Sequence, residues 1–583
     1  MRRRGLIVLL FLFLSVTLFA EEYFPLSKIK EGMVLTGKTA LKGEKLSEFK
    51  VRVSGILENV YPGQSFVIGE ILGDYYKETG VIAGMSGSPV YYDGKIVGAV
   101  SFSFSFTKRA IAGITPYEEM IKMVKKSAPQ VHIDINFKSA FEKKIYNSLF
   151  KILKSKINTN INYKIPLRLS GFNYTFVNKI SKDFSVLNMM AVPAGRGKIK
   201  IPEKINIDDV SLKDGDPINV HLAIGDLDIS AGGTVTHVIG NKFYAFGHPF
   251  FNLGKVAFPV SKASVIDVVP NYQSSFKLSS IVKYVGKITE DRTSGIKGEI
   301  GSFPELIPIK VTMNYLKPVE FEVKIVKDKL LTPLLVYNVI ANIISTEAKA
   351  YGELSLKVNG AVYLKNGKSV RYDDIFSSAN SGGDLSMMYA SLAYILTDNP
   401  IKNFQIDRIK LEITPFEKNR VARLKRVIAS KYRAKPGERV SFSLYYKPSD
   451  GKIMKEDISV PIPPIKKGSK LYILIGDSKT LQKFETRTYK DGFRFPSDEP
   501  SLLRALNNLR KNNIIYFKVM TLKKSVFING YDYSGIPPSF FSFILPAQKD
   551  YNYTYPKVTT FKDYALPIDY KFEGSALIKL EIE

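Results

Sequence analysis

Ser86 lies in Gly84-Met85-Ser86-Gly87-Ser88-Pro89, near the middle of the run ETGVIAGMSGSPVYYDGKIVGAVSFSFS from Glu78 to Ser105. A small hydroxyl between two glycines has two readings. One is a tight turn between strands, because glycine reaches backbone conformations closed to other residues. The other is a nucleophile. Flanking glycines let the chain turn so sharply that the N–H groups of Gly84 and Ser86 converge on one point, where they would hold the oxyanion of a tetrahedral intermediate. Such a serine needs a base to take its proton, and the chain offers four histidines, His132, His221, His237 and His248. His237, inside the alternating strand GTVTHVI, reads as a strand residue facing a neighbour. His132 and His221 carry no pattern that argues for chemistry. His248 ends NKFYAFGH, after a strand, a Gly240-Asn241 turn, a second strand and a glycine that admits close approach.

Composition removes other chemistries. The 583 residues include no cysteine and no tryptophan, which excludes thiol catalysis, disulfides, thiolate zinc sites and iron–sulfur clusters. No metal or organic cofactor is implied. DRTSGIKGEIG (Asp291–Gly301) reads as a binding loop or a glycine-rich β-turn and lacks the strand–loop–helix setting of a phosphate loop. Lys and Arg number 84 against 55 Asp and Glu, a formal charge of +29 spread along the chain. That charge suits a solvated lysine-rich surface, and contact with an anionic envelope or membrane surface. No nucleic-acid-binding signature accompanies it.

At the N-terminus, Arg2–Arg4 precede an apolar run from Gly5 to Leu18, then Ala20 before two glutamates. This is the pattern of a secretory signal peptide cleaved near Ala20, and the run is short for a membrane span of roughly 20 residues. An uncleaved anchor is the alternative. The expected location is the periplasm, the cell envelope or the outside of the cell.

The elements that must position Ser86 and His248 are mostly strands: segments rich in Val, Ile, Phe and Tyr alternate with period two between Gly and Pro. Helices are few. TPYEEMIKMVKK carries Thr115 as N-cap, Pro116 at the first helical position and Glu118 completing a capping box. SAFEKKIYNSLFKIL, DLSMMYASLAYIL and SLLRALNNLRKNN repeat apolar residues on one helical face. The expected organisation is a signal peptide over 1–20, a serine-bearing β half-barrel over 21–130 and a connector over 131–200. A histidine-bearing β half-barrel over 201–300 follows, then a β extension with loop and helix over 301–400. A β-sandwich-like domain over 401–475 and a mixed β domain over 476–583 complete the chain. SSANSGGDLS (Ser377–Ser386) is expected to be a mobile junction open to proteolysis.

Beyond Ser86, PVYYDGKIVGAVSFSF reads as a hairpin about Asp93-Gly94, a pair suited to a type I′ turn, and AIAGITPYEEM as a strand running into a helix. This order resembles chymotrypsin-like peptidases of the HtrA type. With the preceding KETGVIA, and with GTVT, a strand and Gly247-His248 further on, it is similar to the SpoIVB-type serine peptidases, family 55 of the serine class. The resemblance implies a mainly β chain: a chymotrypsin-like two-barrel unit, then β-sandwich-like accessory domains with a few helices. It implies an endopeptidase acting on protein or peptide substrates, with Ser86 as nucleophile, His248 as base and the amides of Gly84 and Ser86 as oxyanion hole. Asp74, before Ser86, stands where the family carries an acid. Asp226 and Asp267 are the alternatives, and a Ser–His dyad is a further one. The sequence departs from the family in order, because there histidine precedes serine and here the half-barrels are exchanged. No counterpart of the family's PDZ module precedes Ser86. A catalytically inactive peptidase fold, serving as an envelope binding or scaffolding protein, is the competing expectation.

Overall fold

The computed structural model describes residues 23–61, 64–104, 107–122, 144–157, 165–195, 200–348, 353–401, 404–488, 498–523, 525–528, 531–533, 553–554 and 557–583. Residues 1–20, expected to be a signal peptide, and His132 lie outside them. The chain is mainly β, as its period-two patterning requires.

Strands β1 (Val34–Lys42), β2 (Lys45–Tyr61), β3 (Gln64–Leu72), β4 (Pro89–Tyr92), β5 (Lys95–Ser103) and β6 (Ile111–Pro116) form a closed barrel in the order β1-β2-β3-β6-β5-β4. Its inward residues include Leu35, Val51, Val67, Val90, Val100 and Ile114, all essentially inaccessible. Between β3 and β4 run the short helix α1 (Asp74–Thr79) and the Ser86 turn, and α2 (Tyr117–Lys122) closes the unit. The helix begins later than its sequence suggests. Thr115 and Pro116 end β6, and the Thr115 hydroxyl, instead of capping α2, donates to the Gly247 carbonyl at 2.6 Å. A tertiary acceptor has replaced the local one.

The region expected to be a connector contains α3 (Lys144–Ile157), β7 (Ile165–Ser170), α4 (Tyr174–Ser185) and β8 (Met189–Pro193). β7 pairs with β8 and joins the second barrel's sheet, so the described residues of this region form a structured flank. That barrel uses β9 (Pro217–Gly225), β10 (Asp228–Ile239), β11 (Lys242–Ala245), β12 (Gly254–Val269), β13 (Phe276–Arg292) and β14 (Gly295–Ile300). Pairings β9–β10, β10–β11, β11–β14, β14–β13, β13–β12 and β12–β9 close a ring. The two-barrel expectation holds, with the serine-bearing barrel first.

Past residue 300, β15 (Ile307–Asn314) and β16 (Pro318–Ile325) extend the same sheet from β9. Helix α5 (Leu331–Glu347), strands β17 (Ser355–Leu364) and β18 (Ser369–Ser377), helix α6 (Ser381–Thr397) and β19 (Ile406–Phe416) complete it. α5 and α6 are apolar on nearly all sides and are correspondingly buried against each other. The segment expected to be a mobile junction instead starts α6. Ser381 is buried, its hydroxyl donates to Leu354 O, and Ser378 bonds Asp384.

The last two expected domains share one core. One sheet takes Val421–Ala429, Arg439–Pro448, Met454–Pro461 and Lys571–Glu573. The other takes Arg433–Ala434, Lys470–Gly476, Ile514–Thr521, Thr559–Pro567 and Ser575–Ile582. Phe442, Leu444, Ile473, Phe517 and Leu580 from both segments pack together.

Candidate active site

The Ser86 turn is held by its own main chain and by β5. The amides of Met85, Ser88 and Gly87 donate to Ile82, Met85 and Val100 carbonyls at 2.9, 2.8 and 2.7 Å. The amides of Gly84 and Ser86 donate to no main-chain carbonyl among the described residues. Gly84 and Gly87 take φ of 99° and 95°, in the region that favours glycine. Gly84, Met85, Gly87 and Ser88 are buried, and Ser86 alone is half-buried. The turn therefore presents one hydroxyl and leaves uncommitted the two N–H groups named as oxyanion donors.

This turn docks on the second barrel. The Thr234 amide donates to Ser86 O at 2.8 Å, the Thr234 hydroxyl to Gly84 O at 2.8 Å, and the Thr236 hydroxyl to Gly87 O at 2.8 Å. A Cβ on Gly87 would lie 1.9 Å from Thr234 O and 2.5 Å from the Phe246 nitrogen. Gly247 in turn rests on β5, where a Cβ would meet Ala99 Cβ at 3.0 Å and Ser101 Cβ at 3.2 Å. Ser101 is also the residue whose carbonyl accepts from Ser86 Oγ, at 3.4 Å. The main chains of the serine and histidine motifs are thus brought face to face through glycines that only a bare backbone fits.

His248 is buried, and its Nδ1 is 2.8 Å from the Pro249 carbonyl. A carbonyl only accepts, so Nδ1 carries the hydrogen and Nε2 is the basic nitrogen. Burial pushes the imidazole down to about 4, opposed by the Pro249 bond, so it is neutral at pH 7. The preceding Phe246 is a buried non-glycine residue at φ 70°. Strain of this kind persists only where the surroundings over-determine it.

Residues 25–121 match the family model described as SpoIVB peptidase S55. The serine-bearing barrel is thus similar to the SpoIVB peptidase model over this segment. No curated protein and no solved structure is matched. The S55 match ends before His248, while the serine turn lies within the matched segment.

The serine-bearing barrel does not bring its expected acid to the imidazole. Asp74 opens α1 with a side chain 95% exposed, ion-paired with Lys77 at 2.7 Å, and that pairing holds its pKa below the usual value. An oxygen so exposed does not orient a buried ring. Asp226 accepts from the Glu322 amide at 2.7 Å and Asp267 from its own neighbour Val268 at 2.9 Å. The Pro249 carbonyl occupies the orienting position instead. Among the described residues no group of His, Cys, Asp and Glu is placed to hold a metal ion.

The other described histidines, His221 and His237, have structural partners. His237 pairs with Asp214 at 2.8 Å, which also accepts from Tyr91 of the S55 barrel at 2.9 Å. His221 joins Asp228 and Ser261, each at 2.8 Å, in a Ser–His–Asp chain that sequence spacing did not signal. All three are buried, at 0, 4 and 0% exposure, so this hydroxyl offers no surface to a peptide carbonyl and the chain serves to tie β9, β10 and β12 together. Lys277 was also missed. It is fully buried against Gly84, donates to the Thr39 hydroxyl at 2.7 Å, and is pushed down to about 7 by burial. A lone lysine at the end of an alternating strand carries no signal of such a position.

Proposed function

We propose that the chain is an exported serine endopeptidase of the SpoIVB type, cleaving protein or peptide substrates through Ser86 and His248. The observation that carries this reading is the docking of the Ser86–Gly87 turn on Thr234 and Phe246–Gly247, immediately before His248. In the proposed reaction Ser86 Oγ turns from Ser101 O and attacks the peptide carbonyl. Its proton passes to His248 Nε2, and the amides of Gly84 and Ser86 receive the oxyanion. The imidazolium then protonates the leaving amine, and water activated by the same imidazole hydrolyses the acyl ester. Catalytic hydrogen bonds are often long before substrate binds, which is consistent with the Ser86 hydroxyl resting on a carbonyl. The basic N-terminal segment with its apolar run supports export with cleavage near Ala20, and the positive surface supports contact with an anionic envelope.

A fluorophosphonate probe tests the chemistry. Wild-type protein is expected to label at Ser86. Ser86→Ala abolishes labelling while keeping the turn glycines, and His248→Ala slows it on the order of 10⁴-fold. His237→Ala, whose ring is committed to Asp214, labels like wild type. Labelling that survives Ser86→Ala moves the nucleophile elsewhere. Folded protein that never labels favours the second reading, a non-catalytic envelope-binding protein, which the solvent-facing Asp74 supports.

A further inference from the structure

The glycine-rich hairpin DRTSG, between β13 and β14, lies directly behind the histidine loop. A Cβ on Gly295 would meet Ala245 O at 2.9 Å and the Gly247 nitrogen at 3.3 Å. Ser294, in the same turn, accepts from Gln64 of the S55 barrel at 3.1 Å. At the head of the turn, Asp291 is 0% exposed. Its carboxylate accepts main-chain amides from Phe250 at 2.8 Å, Phe251 at 2.8 Å and Leu253 at 3.3 Å. These are the residues that follow His248-Pro249. Other anchors of the loop include the Thr115 hydroxyl on Gly247 O, and Asn252 Nδ2 on Lys156 O at 3.0 Å.

A buried carboxylate is costly unless it is paired or richly hydrogen-bonded. Among the described residues Asp291 pairs with no buried cation, only with amides of one loop. That loop includes the Pro249 carbonyl, which sets the tautomer of His248. Fixing residues 250–253 therefore fixes the acceptor that aims the imidazole. We propose that Asp291 is the positioning residue for His248, replacing the orienting acid of a Ser–His–Asp triad through the main chain instead of through contact with the ring. The proposal rests on the reading of His248 as the base.

Burial pushes Asp291 up to about 6 against the downward pull of the amides. Its strand neighbours Glu290 and Arg292 pair with each other at 2.7 Å on the other face of β13, where Lys255 of β12 and Lys297 of β14 stand opposite Glu290, while Gly254 and Ile296 stand opposite Asp291 itself. His248 is the titratable group of the loop. The ionised carboxylate accepts all its amides; protonated, it loses acceptor capacity. His248 should therefore sense pH near 6, well above its own titration near 4.

The experiment is a pH titration of protein labelled with ¹³C at histidine Cε1, whose His248 signal is identified with His248→Ala. In wild type the signal is expected to shift as pH falls through about 6, before the ring itself titrates. In Asp291→Asn the step near 6 disappears and only the ring's own titration, at lower pH, remains. The same variants are then followed by fluorophosphonate labelling of Ser86. Wild-type labelling shows an acid limb near pH 6. Asp291→Asn lowers the plateau about 10- to 100-fold and removes that limb. Asp291→Glu, which keeps the charge and displaces it by one methylene, retains the limb. A His248 signal indifferent to pH until its own titration overturns the proposal from the wild-type protein alone, whether or not the variants fold. Labelling by Asp291→Asn at the wild-type rate and with the wild-type profile also overturns it. A His248 signal that responds as expected in protein that never labels upholds the positioning role and removes the peptidase reading.

Discussion

Lys277 shows at the scale of one residue how a favourable local contact coexists with an unfavourable charge. Its stem packs on Gly84 and its amine has a hydroxyl acceptor, yet burial lowers its pKa from 10.5 to about 7. Between those values the unfolded chain binds more protons than the folded one, so this group makes stability rise with pH from about 7 to 10.5. Lys277→Met keeps the stem and removes the charge. It is expected to stabilise the protein at pH 7, by on the order of 1–4 kcal/mol, with a gain that fades toward pH 10. Thermal melts across that range check this. A variant less stable at pH 7, by an amount independent of pH, would show that the Thr39 bond outweighs the charge. His248 acts in the same direction at lower pH. Its folded pKa of about 4 lies below the ordinary value near 6.5, so its contribution is full above 6.5 and is lost as pH falls toward 4.

At the scale of elements, the two barrels meet at the Ser86 turn as well as through an apolar cluster of Ile96, Ala99, Tyr117 and Met120 with Tyr244. Gly87 is the tightest point, because its φ of 95° and the approach of Thr234 O both exclude a side chain. Gly87→Ala is expected to part the barrels locally, costing roughly 3 kcal/mol or more, and to abolish Ser86 labelling. Gly94→Ala, in the hairpin turn at φ 72° with nothing within 4 Å, is expected to cost only about 1 kcal/mol, and to leave labelling intact. Denaturant titration of the two variants separates them, and equal losses would show that backbone strain alone, without barrel contact, sets the cost. The Thr115 hydroxyl carries a related lesson. As a helix cap it would be a local feature, but on Gly247 O it is a bond between barrels.

Across the whole molecule, the described strands of the two C-terminal sheets behave as one unit because neither sheet has a core without the other. Strand Lys571–Glu573 pairs beside Val421–Ala429, and strand Ser575–Ile582 lies between Arg433–Ala434 and Lys470–Gly476. A chain ended at residue 475 would expose Phe442, Leu444 and Ile473. It is expected to aggregate or to lose the cooperative unfolding of this unit, as calorimetry would show. Retention of a separate transition for 401–475 would restore the division drawn from sequence. A broad-specificity protease is likewise expected to leave 378–386 intact in native protein, since Ser381 is buried at the start of α6. A cut within that stretch would return it to the status of a junction.

The sequence by itself determined the features whose cause is local. Period-two alternation specifies strands, and the glycines around Ser86 specify a sharp turn that frees two amides. GTVT, the Gly240-Asn241 turn and Gly247-His248 specify a hairpin ending in the histidine. The serine motif was legible enough to resemble the family whose model matches residues 25–121. Tertiary structure decided what depends on approach between distant segments. Asp74 has the family's position in the chain, but helix α1 turns its carboxylate to solvent. Asp291 lies among glycines that read equally well as a turn, and its amide partners are some 40 residues away in the chain. His221 and Ser261, without a motif, became a hydrogen-bonded chain because three strands align. Alternation and turn chemistry act over a few residues and are written in residue types. Burial, hydrogen-bond partners and the pKa of a group depend on which strands close a barrel, and that is settled only when the whole sheet is paired.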